Sequence, residues 1–136
     1  MGLHRAFPDA IIVGVDIKPQ PHYPFTFLQG DALNPPLDMT QFDFIWASPP
    51  CQHYSAMTRG RWQSRIENHP DYIQTIREKL SRTSKPYVIE NVVGAPLLNA
   101  TMLCGTMFGL GTNQGNQLRR HRLFEASAQI GLTPNC

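Results

Sequence analysis

Three short segments of this sequence carry side chains able to do covalent chemistry together. They are Cys51 in Pro50-Cys51-Gln52, Glu90 in Glu90-Asn91-Val92, and the arginines of Arg120-His121-Arg122. A thiol is a strong nucleophile once a cationic neighbour or a turn favours its thiolate. A carboxyl group nearby can pass a proton to or from a reacting ring, and guanidinium groups place fixed positive charge where negative charge develops. A cysteine alone means little, since most are inert packing. The elements that carry the three groups decide whether they meet.

Phe42, Phe44, Ile45, Trp46 and Ala47 make an apolar run of strand length, and Ser48-Pro49-Pro50 ends it. Proline offers no N–H to a sheet ladder and turns the residue before it away from helix. Cys51 is therefore predicted just past the tip of a buried strand, on stiff backbone, where open α/β sheets bind their ligands. Pro86-Tyr87-Val88-Ile89 returns as a second strand ending in Glu90, which puts Cys51 and Glu90 on neighbouring tips of a parallel sheet. The competing reading of Glu90 is a surface acid closing a strand. Arg119-Arg120-His121-Arg122-Leu123-Phe124-Glu125 alternates like a strand with Arg120 and Arg122 on one face, or is a solvated basic edge.

Earlier in the chain, Ala10-Ile11-Ile12-Val13-Gly14-Val15-Asp16 is a β-branched run ending in an acid. Asp16 either meets ribose hydroxyls, as in nucleotide-type folds, or starts a turn. Phe25-Thr26-Phe27-Leu28 is a shorter strand followed by Gln29-Gly30-Asp31-Ala32, where Asp31 alone reads as a turn or cap acid. Gly2-Leu3-His4-Arg5-Ala6-Phe7 reads as the end of a helix, closed by Pro8, since so few residues cannot sustain a helix alone. The clearest helix covers residues 70–80, with Pro70 at its first position, Asp71 in its first turn, and Ile73, Ile76 and Leu80 on one face. It is read as a packing helix without chemistry. Residues 105–111 are glycine-rich but lack the strand–turn–helix setting of a phosphate loop, so a bend or weak edge strand is expected.

The 136 residues suffice for one domain, 1–136, with a core. A formal charge of +2 neither demands nor excludes nucleic acid. No apolar run reaches the ~20 residues of a membrane span, and no secretory leader pattern is present. Cys51, Cys104 and Cys136 are too few for a disulfide framework and too scattered for a metal site, which points to a reducing cytoplasm and to no metal.

Taken in order, Pro50-Cys51-Gln52 with Tyr54-Ser55, then Glu90-Asn91-Val92, then Arg120 and Arg122, resemble the motifs of the DNA cytosine-5 methyltransferase family. The resemblance covers about residues 2–125. It implies a Rossmann-like, mostly parallel S-adenosylmethionine-dependent methyltransferase sheet, in a bacterial or phage-infected cell. It implies methyl transfer to C5 of cytosine in double-stranded DNA, through a covalent Cys51–C6 adduct with the base flipped out of the stack. In that scheme Glu90 acts on N3, Asn91 fixes the local backbone, and Arg120 or Arg122 holds O2 and braces Glu90. Asp16, Ile17, Asp31, Ala32 and Pro50 would hold the cofactor. Gln52, Ser55, Arg59 and Arg61 would contact DNA, the last two from a closing loop over residues 53–69 that also holds Trp62 and Arg65.

The sequence departs from the family pattern in places. Leu118 stands where the family has Gln two residues before its first arginine, with Gln117 displaced by one. The family's first strand and glycine-rich turn, and its target-recognition region, have no counterpart in these residues. A sheet lacking its first central strand is therefore expected, with weak cofactor grip. Inner edges beside the strands ending at Asp16 and Ser48 would then be open to self-association or a partner chain. The alternative is an inactive DNA-binding relative, or a fragment or subunit that needs a partner. Chemistry like that of thymidylate synthase also uses a Pro-Cys nucleophile, but fits Glu-Asn-Val and the acid-tipped strand less well.

Overall fold

The β-branched and aromatic runs become strands, and the longest amphipathic stretch becomes the longest helix. A computed structural model describes residues 2–54, 71–128 and 130–131. It divides into two units, Met1–Met39 and Thr40–Cys136. Ser55, Arg59, Arg61, Trp62, Arg65 and Pro70, and hence the expected closing loop, lie outside the described residues.

In the first unit a short helix α1 (Gly2–Ala6) precedes β1 (Val13–Asp16) and β2 (Thr26–Gln29). The two strands pair in parallel, from Val13 opposite Thr26 to Asp16 opposite Gln29. Gly14 leaves room for the Tyr23 ring, since a Cβ on it would lie 2.6 Å from that ring and the tyrosine would have to shift. That ring in turn meets Phe25 edge-on at 5.8 Å between centroids.

The second unit contains β3 (Ile45–Ala47), α2 (Ile73–Arg82), β4 (Tyr87–Asn91), β5 (Thr101–Cys104) and β6 (His121–Ala126). Its strands lie in the order β3-β4-β6-β5. β3 and β4 are parallel, with the helical crossover that parallel neighbours require. β6 runs antiparallel to both β4 and β5. The described pairings are thus two parallel and two antiparallel, an α/β arrangement with mixed sheets where a mostly parallel one was expected. The reason is local: β5 and β6 are joined on one side by residues 105–120 and no crossover helix. β6 is an interior strand, so its reading as a solvated basic edge does not hold. β1 pairs only with β2, and β3 only with β4, among the described residues.

Ile73, Ile76 and Leu80 of α2 are buried, as their spacing predicts. The helix starts at Ile73 rather than at Pro70. The Asp71 carboxylate accepts from the Ile73 N–H at 2.9 Å, satisfying one of the orphan donors of its first turn. Residues 105–108 form a 3₁₀ turn closed by Gly109 at φ 62°, a bend rather than the alternative edge strand. No helix among the described residues is long and apolar enough to cross a membrane.

One ion pair fixes α2 to the sheet. Arg77 donates from Nε to Glu125 Oε1 and from Nη2 to Oε2, both at 2.7 Å, with the side chains 12% and 5% exposed. Nη2 also reaches the Pro96 carbonyl, and the Leu98 N–H donates to Glu125 Oε2, so helix, strand and the loop after β4 share one network. The hydrogen bonds to Glu125 raise the Arg77 pKa above its ordinary value. Arg77→Met strands a buried carboxylate and is expected to cost about 3–5 kcal/mol in urea unfolding. Adding Glu125→Leu should recover most of that loss, and a single variant costing under ~1 kcal/mol would show the pair to be idle.

Candidate active site

The prolines after β3 decide where Cys51 stands. β3 ends at Ala47, whose register partner is Ile89 of β4, so residues 48–51 leave the sheet beside Glu90, Asn91 and Val92. Trp46 Nε1 donates to Ser48 Oγ at 2.8 Å, and the Tyr54 N–H donates to the Cys51 carbonyl at 3.0 Å, closing a turn on the cysteine. Asn91, 2% exposed, joins the two loops: its Nδ2 donates to the Pro49 carbonyl at 3.0 Å while its Oδ1 accepts from the Val92 N–H at 2.9 Å.

Between these loops lies a cleft of about 290 Å³, lined by Ser48, Pro49, Pro50, Cys51, Gln52, Glu90, Asn91, Val92 and Arg122. That is at the lower end of small-molecule sites. Cys51 is a half-buried free thiol. Glu90 pairs across the ladder with Phe124, so Arg122, two residues before it on β6, shares its face and lies on the diagonal. Arg122 Nε donates to Glu90 Oε1 at 2.8 Å. The cleft therefore combines a nucleophile, a carboxyl group able to exchange a proton, and a guanidinium that holds the carboxyl in place.

The structure brings Cys51, Gln52, Pro50, Glu90, Asn91 and Arg122 together. It does not bring Arg120, which precedes β6, is exposed, and is not part of the cleft lining. Asp16, Ile17, Asp31 and Ala32 belong to the first unit. Asp16 accepts from the Lys18 N–H at 2.8 Å and Asp31 from the Leu33 N–H at 2.8 Å, each bracing its own turn as the local reading allowed. Both carboxylates keep lone pairs for further donors.

The sequence assigns a bracing role to Asn91 but none to Tyr54 or Arg77. Tyr54, 6% exposed, forms a core with Ile73 and Ala95, against which Val92 and Leu97 pack. One ring thus ties the Cys51 turn to α2 and to the loop after Glu90. The signal available was helical spacing: Arg77 lies four residues after Ile73, on the apolar face of α2, where a charged group needs a partner. No protein-family model, curated protein or solved structure matches this chain.

The buried Tyr54 hydroxyl lies beside the Asp71 carboxylate without a well-formed hydrogen bond, and burial first, then Asp71 as an acceptor, push its pKa well above the ordinary tyrosine value. Tyr54→Phe keeps the ring and removes the orphan, so it should leave unfolding free energy unchanged or raise it by up to ~1 kcal/mol. Tyr54→Ala should lower it by about 3–5 kcal/mol. A loss near 2 kcal/mol in the Phe variant would show that the hydroxyl has a partner.

Proposed function

We propose that the chain acts on DNA as a cytosine-5 methyltransferase, with the Cys51 cleft as its reaction centre. The observation that carries this reading is the shared cleft: a thiol just past β3 and a carboxyl at the adjacent tip of parallel β4, the latter paired with a guanidinium from antiparallel β6. Cytosine C5 is too weak a nucleophile to take a methyl group unaided. Addition of Cys51 Sγ to C6 forms an S–C6 bond and moves the electron pair of the C5–C6 double bond toward C5 and the ring. Glu90 donates to N3, limiting the negative charge on the ring, and later takes that proton back. Arg122 fixes the Glu90 carboxyl and supplies positive charge near O2. Methyl transfer from a sulfonium to C5 would leave a neutral thioether; H5 then passes to water as a proton, its bond pair restores the C5–C6 double bond, and the C6–S bond breaks to free the thiolate.

S-adenosylmethionine supplies the electrophilic methyl group when bound. Asp16 and Asp31 fit it in kind, as acceptors for ribose hydroxyls and an adenine amino group, with Ile17 and Ala32 next to them in the chain. A Rossmann-like sheet is supported by two parallel pairs, β1–β2 and β3–β4, with Asp16, Cys51 and Glu90 at or just past carboxyl ends. The base reaches a cleft of this size only by leaving the stack, at a cost of a few kcal/mol. Among the described residues β1 and β3 each have one unpaired edge, which favours one variant of this reading, in which a partner chain pairs with them.

A duplex carrying 5-fluorocytosine, incubated with excess S-adenosylmethionine, should trap the adduct, because fluorine at C5 cannot leave as a proton. Cys51→Ala should abolish trapping. Cys104→Ala should leave it nearly intact, since that thiol is 2% exposed in the core. Glu90→Gln should slow trapping by about 10²–10⁴-fold. Exchange of cytosine H5 with solvent deuterium reads the same addition without cofactor. An adduct on Cys104, or one that survives Cys51→Ala, would overturn the assignment.

A further inference from the structure

Residues 109–120 are all exposed, yet they are built. An antiparallel bridge joins Gly111 to Gln117, the Leu118 N–H donates to the Leu110 carbonyl at 2.9 Å, and the Thr112 N–H donates to the Asn116 carbonyl at 2.8 Å. The ribbon needs its glycines. A Cβ on Gly111 would lie 2.3 Å from the Asn116 carbonyl oxygen, and Gly115 turns the tip at φ 82°. The result is a two-stranded hairpin that runs straight into β6.

The side chains of this hairpin are not those that folding asks for. Asn113 and Asn116 suit a turn, but Gln114 and Gln117 have no such reason to be there. Arg119 and Arg120 follow at its base, with Arg119 Nη2 donating to Gln117 Oε1 at 3.3 Å. No Asp or Glu occurs between Glu90 and Glu125. Carboxamides offer a donor and an acceptor side by side, the pattern that matches adenine N7 and N6 in the major groove, which is wide enough for a two-stranded ribbon. Guanidinium groups suit phosphates. The exposed Leu110 and Leu118 lie at the stem base, while the tip lacks the aromatic anchors of a protein interface. Gln114 is eight residues from Arg122, so at ~3.3 Å per residue the tip stays within about 26 Å of the cleft.

We propose that the hairpin spanning residues 110–118 reads base edges in the major groove of duplex DNA through Asn113, Gln114 and Asn116, with Arg119 and Arg120 on flanking phosphates. The choice of DNA rests on the methyltransferase reading above; the reading element does not depend on which chemistry follows.

The test selects bound duplexes from a library with randomised bases around one cytosine, using the full chain at several salt concentrations. The wild type should prefer particular flanking bases by about 5- to 150-fold per base read. Asn113→Ala/Gln114→Ala/Asn116→Ala should flatten that preference while leaving mean affinity within about threefold, since base contacts specify and phosphate contacts hold. Arg119→Ala/Arg120→Ala should weaken all duplexes alike and shallow the salt dependence by about one unit for each phosphate no longer neutralised. Circular dichroism melting confirms that the variants fold. A triple variant that keeps the wild-type preference, a wild type without preference or without duplex binding, or hairpin-dependent selection of RNA over DNA would overturn the inference. Fluorocytosine trapping separates the two proposals. Trapping at Cys51 with flanking preference unchanged in the triple variant removes the hairpin alone. Hairpin-dependent selection without any adduct removes methyl transfer alone.

Discussion

The hydrogen bond from Asn91 Nδ2 to the Pro49 carbonyl is the constraint on which the site depends. Pro49 has left the sheet, so its carbonyl has no ladder partner, and a buried unpaired carbonyl is costly. Asn91 satisfies it from the next strand and uses its own Oδ1 on the Val92 N–H. Two loops that would otherwise set their own courses are thereby held at one spacing. Cys51 lies two residues beyond the acceptor and Glu90 one residue before the donor, so the bond sets the distance between thiol and carboxyl without involving either.

Around that bond the two faces of the sheet do different work. Residues paired in register point to the same side, which places Trp46, Val88, Glu90, Phe124 and Arg122 together on one face. Trp46 and Phe124 meet edge-on there, with ring centroids 5.9 Å apart, forming an apolar floor beside the Glu90–Arg122 pair. The opposite face carries Ile89, Asn91 and Glu125, and α2 attaches to it through Arg77. Chemistry-bearing side chains are thus kept off the helix-covered face, while the groups that fix them draw on it. Tyr54 extends the same logic, since its ring packs with Ile73 and Ala95 and its N–H closes the turn on Cys51.

Much of this was legible in the sequence because it rests on local rules. Two prolines stop a strand wherever it lies, and that alone located Cys51. β-branched runs ending in acids marked Asp16 and Glu90, and helical spacing marked Ile73, Ile76 and Leu80. What was not legible depends on partners far away in the chain. β5 is only four residues, Thr-Met-Leu-Cys, with no pattern of its own, and it is a strand because β6 pairs with it. The antiparallel direction of β6 follows from how residues 105–120 turn back, which periodicity does not encode. The Arg77–Glu125 pair spans 48 positions, and although helical spacing puts Arg77 on the apolar face of α2, nothing local names Glu125 as its partner.

The two arginines that look equivalent in the sequence are separated by the point at which the strand begins. Alternation would place Arg120 and Arg122 on one face if the strand ran through both. It starts at His121, because residues 110–118 are committed to their own ribbon and their chain path is set by the Gly111–Gln117 bridge. Arg122 then falls diagonally from Glu90 and is spent on its carboxyl, whereas Arg120 stays in water at the hairpin base. A guanidinium held by a carboxylate has a fixed place beside the cleft, whereas one in water is free to meet a phosphate. The start of β6 therefore assigns one arginine to the cleft and leaves its neighbour for whatever approaches the cleft from outside.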